Sequence, residues 1–273
     1  MKYVRASEAL SLGMIWFVLL GAFGPAVLQS THRDDSVLSE RLHAQVRGLQ
    51  LYTEDWDAIM PVCYRSDFPL QVLFNATIEV PPGWRRDTSA ERKAQYFTRY
   101  PNSVAPYFRS LADLEIPGAP LIDFGSYRLE DSIADPLPVG FAFNGLLNSY
   151  PKASITSPNL VPMVWTGLGR ANSRGLAENS PMLMCIQARP INECRFDPKD
   201  MTMSGSLLML RGESKVSDGG IYFGLADGSV KVVPVNTNNE PDSADPWKYE
   251  NGRAWAYASD GRYPPIFRPD REK

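Results

Sequence analysis

The longest apolar stretch runs from Ala9 to Leu28, twenty residues without a charged side chain. At about 1.5 Å of rise per residue it matches a hydrocarbon core of roughly 30 Å, so it predicts a membrane-spanning helix. Beyond it the pattern turns from continuous to periodic. Leu38, Leu42, Val46, Leu49, Thr53 and Trp56 recur at steps of four, four, three, four and three, on one face of a helix from Asp34 to about Trp56. Arg33, Asp34, Asp35, Glu40, Arg41, Arg47, Glu54 and Asp55 charge the opposite, solvated face. Pro25 kinks such a helix inside a bilayer rather than ending it, and Pro61 stops it. The pattern predicts one rod, half in lipid and half outside.

Strand signals are short: Ile78 to Val80, Phe141 to Phe143, Val161 to Trp165 and Ser206 to Leu210, separated by Pro, Gly and Asn loops. Near the end, Gly220 to Leu225 and Ser229 to Val235 flank Ala226-Asp227-Gly228, and Asp-Gly supplies the positive backbone angles of a tight hairpin. Asp227 reads as a turn former with Gly228. Asn102 to Leu114, with Val104, Tyr107, Phe108 and Leu111 on one side, predicts a further short helix, and Gly167 to Gly175 an exposed turn region. The expected fold class is α+β, a long N-terminal transmembrane-plus-stalk helix packed on a small antiparallel sheet. The expected divisions are a tail at 1–8, a span at 9–31, a stalk at 32–57, a head at 58–235 and a polar, aromatic-containing extension at 236–273. In that extension Trp247, Tyr249, Trp255, Tyr257, Tyr263 and Phe267 are expected to cover a sheet edge.

Composition narrows the chemistry. The 273 residues are 44% hydrophobic and carry a net charge of -3, so the chain can bury a core but offers no basic footprint for a nucleic-acid backbone. Its 23 prolines favour a loop-rich domain. Both histidines, His32 and His43, precede the head, which excludes a head mechanism built on Ser-His-Asp, Cys-His or His-ligated zinc. Lys2 and Arg5 ahead of the apolar run orient a single-pass protein with its N-terminus cytoplasmic and its head outside; a cleaved signal peptide is the competing reading. In an oxidising space Cys185 and Cys194 could close a small ring, leaving Cys63; three reduced thiols are the other reading. Glu54, Asp55 and Asp57, or Asp242, Asp245 and Glu250, could bind a hard cation, but neither group has the calcium-loop spacing and both read as solvated surface. No metal or cofactor is expected.

These features together resemble the type IV pilin-like proteins, in particular the type II secretion pseudopilin-like group with a prepilin-type N-terminus and a C-terminal His, nine residues, Asp-Gly segment. The resemblance rests on Glu8 followed seventeen residues later by Pro25, on Gln45 to Pro61, on the aromatic-Asn-Gly run Val139 to Asn148, and on Asp218 to Pro234. Tyr3 stands where the family has the Gly of its cleavage site, and Ser217 where it has the motif His. The resemblance implies that Glu8 neutralises a neighbouring subunit's amino terminus in a helix bundle. It also implies partners in the lipid bilayer and among other pilin-like subunits or secretion-system components. The expected role is structural, a membrane-anchored surface protein of a secretion- or pilus-type envelope system and not an enzyme. The alternative is a tethered envelope protein that binds or hydrolyses carbohydrate.

Overall fold

The computed structural model describes residues 35–64, 77–123, 132–167, 169, 171–181, 183, 195–197, 220–233, 249–250, 253–254 and 265–271. The first element, helix α1, occupies 35–55. Its apolar stripe is turned inward: Leu38, Leu42, Val46 and Leu49 are all buried, and Tyr52 extends them. Removing each such aliphatic side chain from water contributes about 1.5–3 kcal/mol, which is what docks the helix. The helix ends in a left-handed cap. The Ala58 amide donates to the Thr53 carbonyl at 2.9 Å, and Asp57 has φ +50°, the place where glycine is usual. A second helix, α2, is Ala90–Phe97, capped by Ser89, whose hydroxyl accepts from the Arg92 amide at 3.2 Å.

The strands are β1 (Thr77–Glu79), β2 (Leu121–Ile122), β3 (Pro138–Val139), β4 (Ala142–Phe143), β5 (Pro162–Trp165), β6 (Asn172–Arg174), β7 (Leu176–Asn179), β8 (Ile221–Leu225), β9 (Val230–Val233), β10 (Tyr249–Glu250) and β11 (Arg253–Ala254). Six of them form one sheet in the order β1-β7-β4-β5-β8-β9, with β4 and β7 parallel and every other neighbour antiparallel. Three more form the sheet β2-β6-β3, where β2 and β6 run parallel; β10 and β11 pair as a two-stranded ribbon. Helix α1 crosses the large sheet at β8. A Cβ built on Gly224 would lie 2.4 Å from Val46 Cγ2 and 3.2 Å from Leu42 Cγ, so only glycine lets helix and strand approach this closely. Trp165 lies at the centre, 5.2 Å from the Phe267 ring and 6.1 Å from Phe223, with its indole N–H donated to the Ser180 carbonyl at 2.8 Å.

Several expectations are corrected here. The architecture is not a long helix on a small antiparallel sheet: the sheets are mixed, of six and three strands, and no long apolar helix is among the described residues. Helix α1 is charged at almost every turn, and no helix among the described residues is long and apolar enough to cross a membrane. The single-pass membrane localisation and the transmembrane character expected of this chain are therefore not supported. The run Ala9 to Leu28, with Glu8 and Pro25, lies outside the described residues, as do Cys185, Cys194 and Ser206 to Leu210.

The extra strands come from polar sequence. Asn172–Arg174, expected as exposed turn, is strand β6 with Asn172 and Ser173 buried; Gly175, at φ +66°, then swings the chain from the small sheet into β7 of the large one. Asn102 to Leu114 is not one helix but two short 3-10 turns, Ala105–Tyr107 and Leu111–Leu114. The extended Ser110 between them breaks the run and caps the second. Phe267, expected at a sheet edge, is in the core, where Asn144 Nδ2 donates to its carbonyl at 2.8 Å.

Candidate functional site

Four places among the described residues gather groups able to do chemistry, and Glu178 on β7 is a further buried carboxylate apart from them. The first is a buried thiol. The Cys63 amide donates to Asn148 Oδ1 at 2.9 Å, its Sγ lies 3.4 Å from the same oxygen, and its carbonyl accepts from Asn179 Nδ2. Burial pushes the thiol well above its ordinary range, despite a neighbouring Tyr64 hydrogen bond and the positive charge of Arg99. The nucleophilic thiolate is therefore suppressed, and the asparagines serve to fix the chain after α1 against the sheet. Tyr64 reaches on to receive the Leu183 amide at 2.7 Å through its hydroxyl oxygen.

The second is a carboxylate cradle. Glu79, at the end of β1, is buried and accepts from the Gly83 amide at 3.0 Å and the Thr88 hydroxyl at 2.6 Å, with Arg85 Nη1 at 3.9 Å. Burial raises its carboxyl, opposed first by Thr88, then by Arg85 and Gly83. These contacts close the loop 80–88, which is pinned at its middle by Trp84 donating its indole N–H to the Gly175 carbonyl at 2.7 Å. Glu79 has both oxygens engaged in building that loop.

The third is a latch between α1 and the segment 109–116. Arg41 donates to the Glu115 carbonyl at 2.8 Å and lies 3.2 Å from its carboxylate, and Arg109 bridges Glu40 and Asp113. Between them Gln45 Nε2 donates to the Asp113 carbonyl at 2.7 Å. Asp113 also caps its own turn by accepting from the Ser110 amide at 3.2 Å. The latch fixes the helix in register, with the buried Asp113 carboxylate held by Arg109 and by its own turn.

The fourth place faces solvent. Trp56, the residue after α1, is 57% exposed although the apolar period predicts it buried. The helix has ended, and the left-handed cap at Asp57 and Ala58 swings the chain away, so the ring no longer follows the inward stripe. It is nonetheless held. Its ring stacks on Tyr52 at 5.6 Å with planes 12° apart, and Tyr52 meets Tyr107 edge-on at 5.9 Å. Tyr107 donates its hydroxyl to Asp55 Oδ2 at 2.9 Å, and that bond raises the phenol above its usual range, while the Trp56 side chain hydrogen-bonds to the same phenol. The result is a rigid aromatic platform with one face open, beside the exposed Glu54, Asp55 and Asp57.

Of the residues singled out in the sequence, Cys63 lies in the first place and Glu54, Asp55 and Asp57 in the fourth, while the hairpin turn lies elsewhere. Asp227 sits in the β8–β9 turn, its carboxylate accepting from the Ser229 amide at 2.9 Å and hydroxyl at 2.6 Å. Gly228, at φ +98°, turns the chain over α1, where an added Cβ would be 2.9 Å from Gln50 Nε2. This is turn chemistry: the Asp227 carboxylate is spent on its own turn. Of the acidic groups, Glu54, Asp55 and Asp57 are on the surface, and Asp242 and Asp245 are outside the described residues. Among the described residues no set of three or more His, Cys, Asp or Glu is placed to hold a metal ion. Glu79, Gln45 and the Trp56 platform went unread in the sequence; Tyr52 and Trp56, four positions apart on either side of Asp55, were its local signal, and Tyr107 gave none. No family model matches the chain, nor does any curated protein or solved structure, so comparison supports no pilin or secretion-system assignment.

Proposed function

We propose that this chain is a structural, assembly protein that acts by contacting other protein subunits rather than by catalysis. The observation that carries the reading is Trp56, exposed yet immobilised by Tyr52 and Tyr107. A large aromatic that is already ordered before binding loses little entropy on contact, which is how interface hot spots are built. The interior is consistent with this reading: the Cys63 thiol is suppressed, and two of the three buried carboxylates among the described residues, Glu79 and Asp113, are spent on loop closure and capping, the third being Glu178 on β7.

Carbohydrate binding is the second reading, favoured by the same open indole face, on which a sugar ring could stack. The test is photo-crosslinking in the native cell, with benzoylphenylalanine replacing Trp56 and, as a surface control, the exposed Phe97. Discrete protein adducts at 56 and none at 97 are expected. No adduct at 56, or equal adducts at both, overturns the assembly reading.

A further inference from the structure

The partner's chemistry follows from what surrounds the exposed ring. Resting on the assembly reading above, we propose that the Trp56 platform receives an arginine side chain from a basic segment of a partner protein. An indole face is the strongest of the aromatic cation acceptors, because its quadrupole puts negative density above the ring. The charges at this end of α1 add to it. Glu54, Asp55 and Asp57 are three acids within four positions around Trp56, all exposed. The C-terminal end of a helix carries about half a negative elementary charge of its own.

The two cations bonded near this end of the helix each have a partner of their own. Arg99 donates to the Tyr64 carbonyl at 2.6 Å, and Lys152 donates to Thr53 Oγ1 at 3.4 Å. Tyr107 fixes Asp55 through Oδ2, and Asp55 itself is exposed, one residue before Trp56. A planar guanidinium can lie on the ring and donate to a carboxylate at its edge, which a compact ammonium does less well. A neutral sugar could donate hydroxyls to these carboxylates but gains no charge–charge attraction from them, so the net negative pattern favours the cation.

The probe is an acetylated, amidated Gly-Arg-Gly-Arg-Gly peptide titrated into the full chain by calorimetry, beside its Glu counterpart and an N-acetylglucosamine tetramer. The Arg peptide is expected to bind, the Glu peptide not. Affinity should fall about tenfold in Trp56→Ala and in the triple variant Glu54→Gln, Asp55→Asn, Asp57→Asn. It should also weaken as salt rises from about 50 to about 500 mM. Trp56→Phe should retain part of the affinity, which separates a lost ring face from a misfolded chain. Failure of the Arg peptide, or affinity unchanged in Trp56→Ala, overturns this inference, as does Trp56-dependent binding of the sugar alone. If protein adducts at position 56 persist while the Arg peptide fails, assembly stands and the arginine assignment falls; if both fail, both fall.

Discussion

Tyr100 donates its hydroxyl to Gln45 Oε1 at 3.0 Å, joining the middle of α1 to a loop fifty-five residues further along the chain. Both side chains are buried, and Gln45 passes the connection on to the Asp113 carbonyl. A polar residue in the middle of an apolar helix face is tolerated because each of its groups has a partner. Gln45→Leu should cost about 2–4 kcal/mol, since it strands the Tyr100 hydroxyl and the Asp113 carbonyl away from water. Tyr100→Phe alone should cost about 1 kcal/mol. In the double variant the two losses should sum to less than their separate values, as urea denaturation of the four proteins would show; strict additivity would contradict the coupling.

Helix docking should be equally sensitive at Gly224. An added methyl meets Val46 Cγ2 at 2.4 Å and Val164 Cγ2 at 3.1 Å, so Gly224→Ala should destabilise by about 1–3 kcal/mol through overpacking. Shortening the opposing side chain with Val46→Ala in the same protein should recover part of that loss. Thermal unfolding of both variants checks the order.

Cys63 should resist alkylation in the folded protein. Its thiol is fully buried and held above the ordinary thiol range by that burial, so both access and thiolate fraction are low. Iodoacetamide at about pH 8, close to the ordinary thiol pKa, followed by peptide mass spectrometry should leave Cys63 unmodified in buffer. In guanidinium chloride it should be labelled completely.

Glu79 gives the fold a pH dependence of defined sign. Burial raises its folded-state carboxyl above the unfolded value, so the native state holds this proton more tightly. The contribution is fully present below the unfolded carboxyl range, about pH 4, and is lost as pH rises through the raised folded value. Glu79→Gln keeps an acceptor for Thr88 and removes the titration. Relative to wild type it should therefore be less stable near about pH 4 and should gain ground by about pH 7. Denaturant midpoints at the two pH values decide it; a gap that widens toward pH 7 would refute the assignment.

How far the sequence carried differs from place to place. The four-three spacing of Leu38, Leu42, Val46 and Leu49 announced α1 and its buried face, because a helix of period 3.6 leaves that mark whatever it docks against. Asp227-Gly228 announced the β8–β9 hairpin, because few residue pairs accept its backbone angles. The same periodicity placed Trp56 inside, and it failed there because periodicity holds only while the helix lasts. Strands β6 and β7, Asn-Ser-Arg and Leu-Ala-Glu-Asn, escaped notice because they are buried between neighbours and show no alternation of apolar and polar residues. The platform at Tyr107 depended on a contact across fifty-two positions, which no local pattern encodes.

Phe267 closes the space beside Trp165 and Phe223, and its carbonyl receives Asn144 from the middle of the chain. On a ribosome, polypeptide is delivered in order, and Asn144, Trp165 and Phe223 are all synthesised before the ring that meets them. Release of this segment therefore sets the moment at which the nascent protein can first close its interior. A message truncated upstream of codon 267 would yield a product with a hole at its centre, one that quality-control proteases should find quickly.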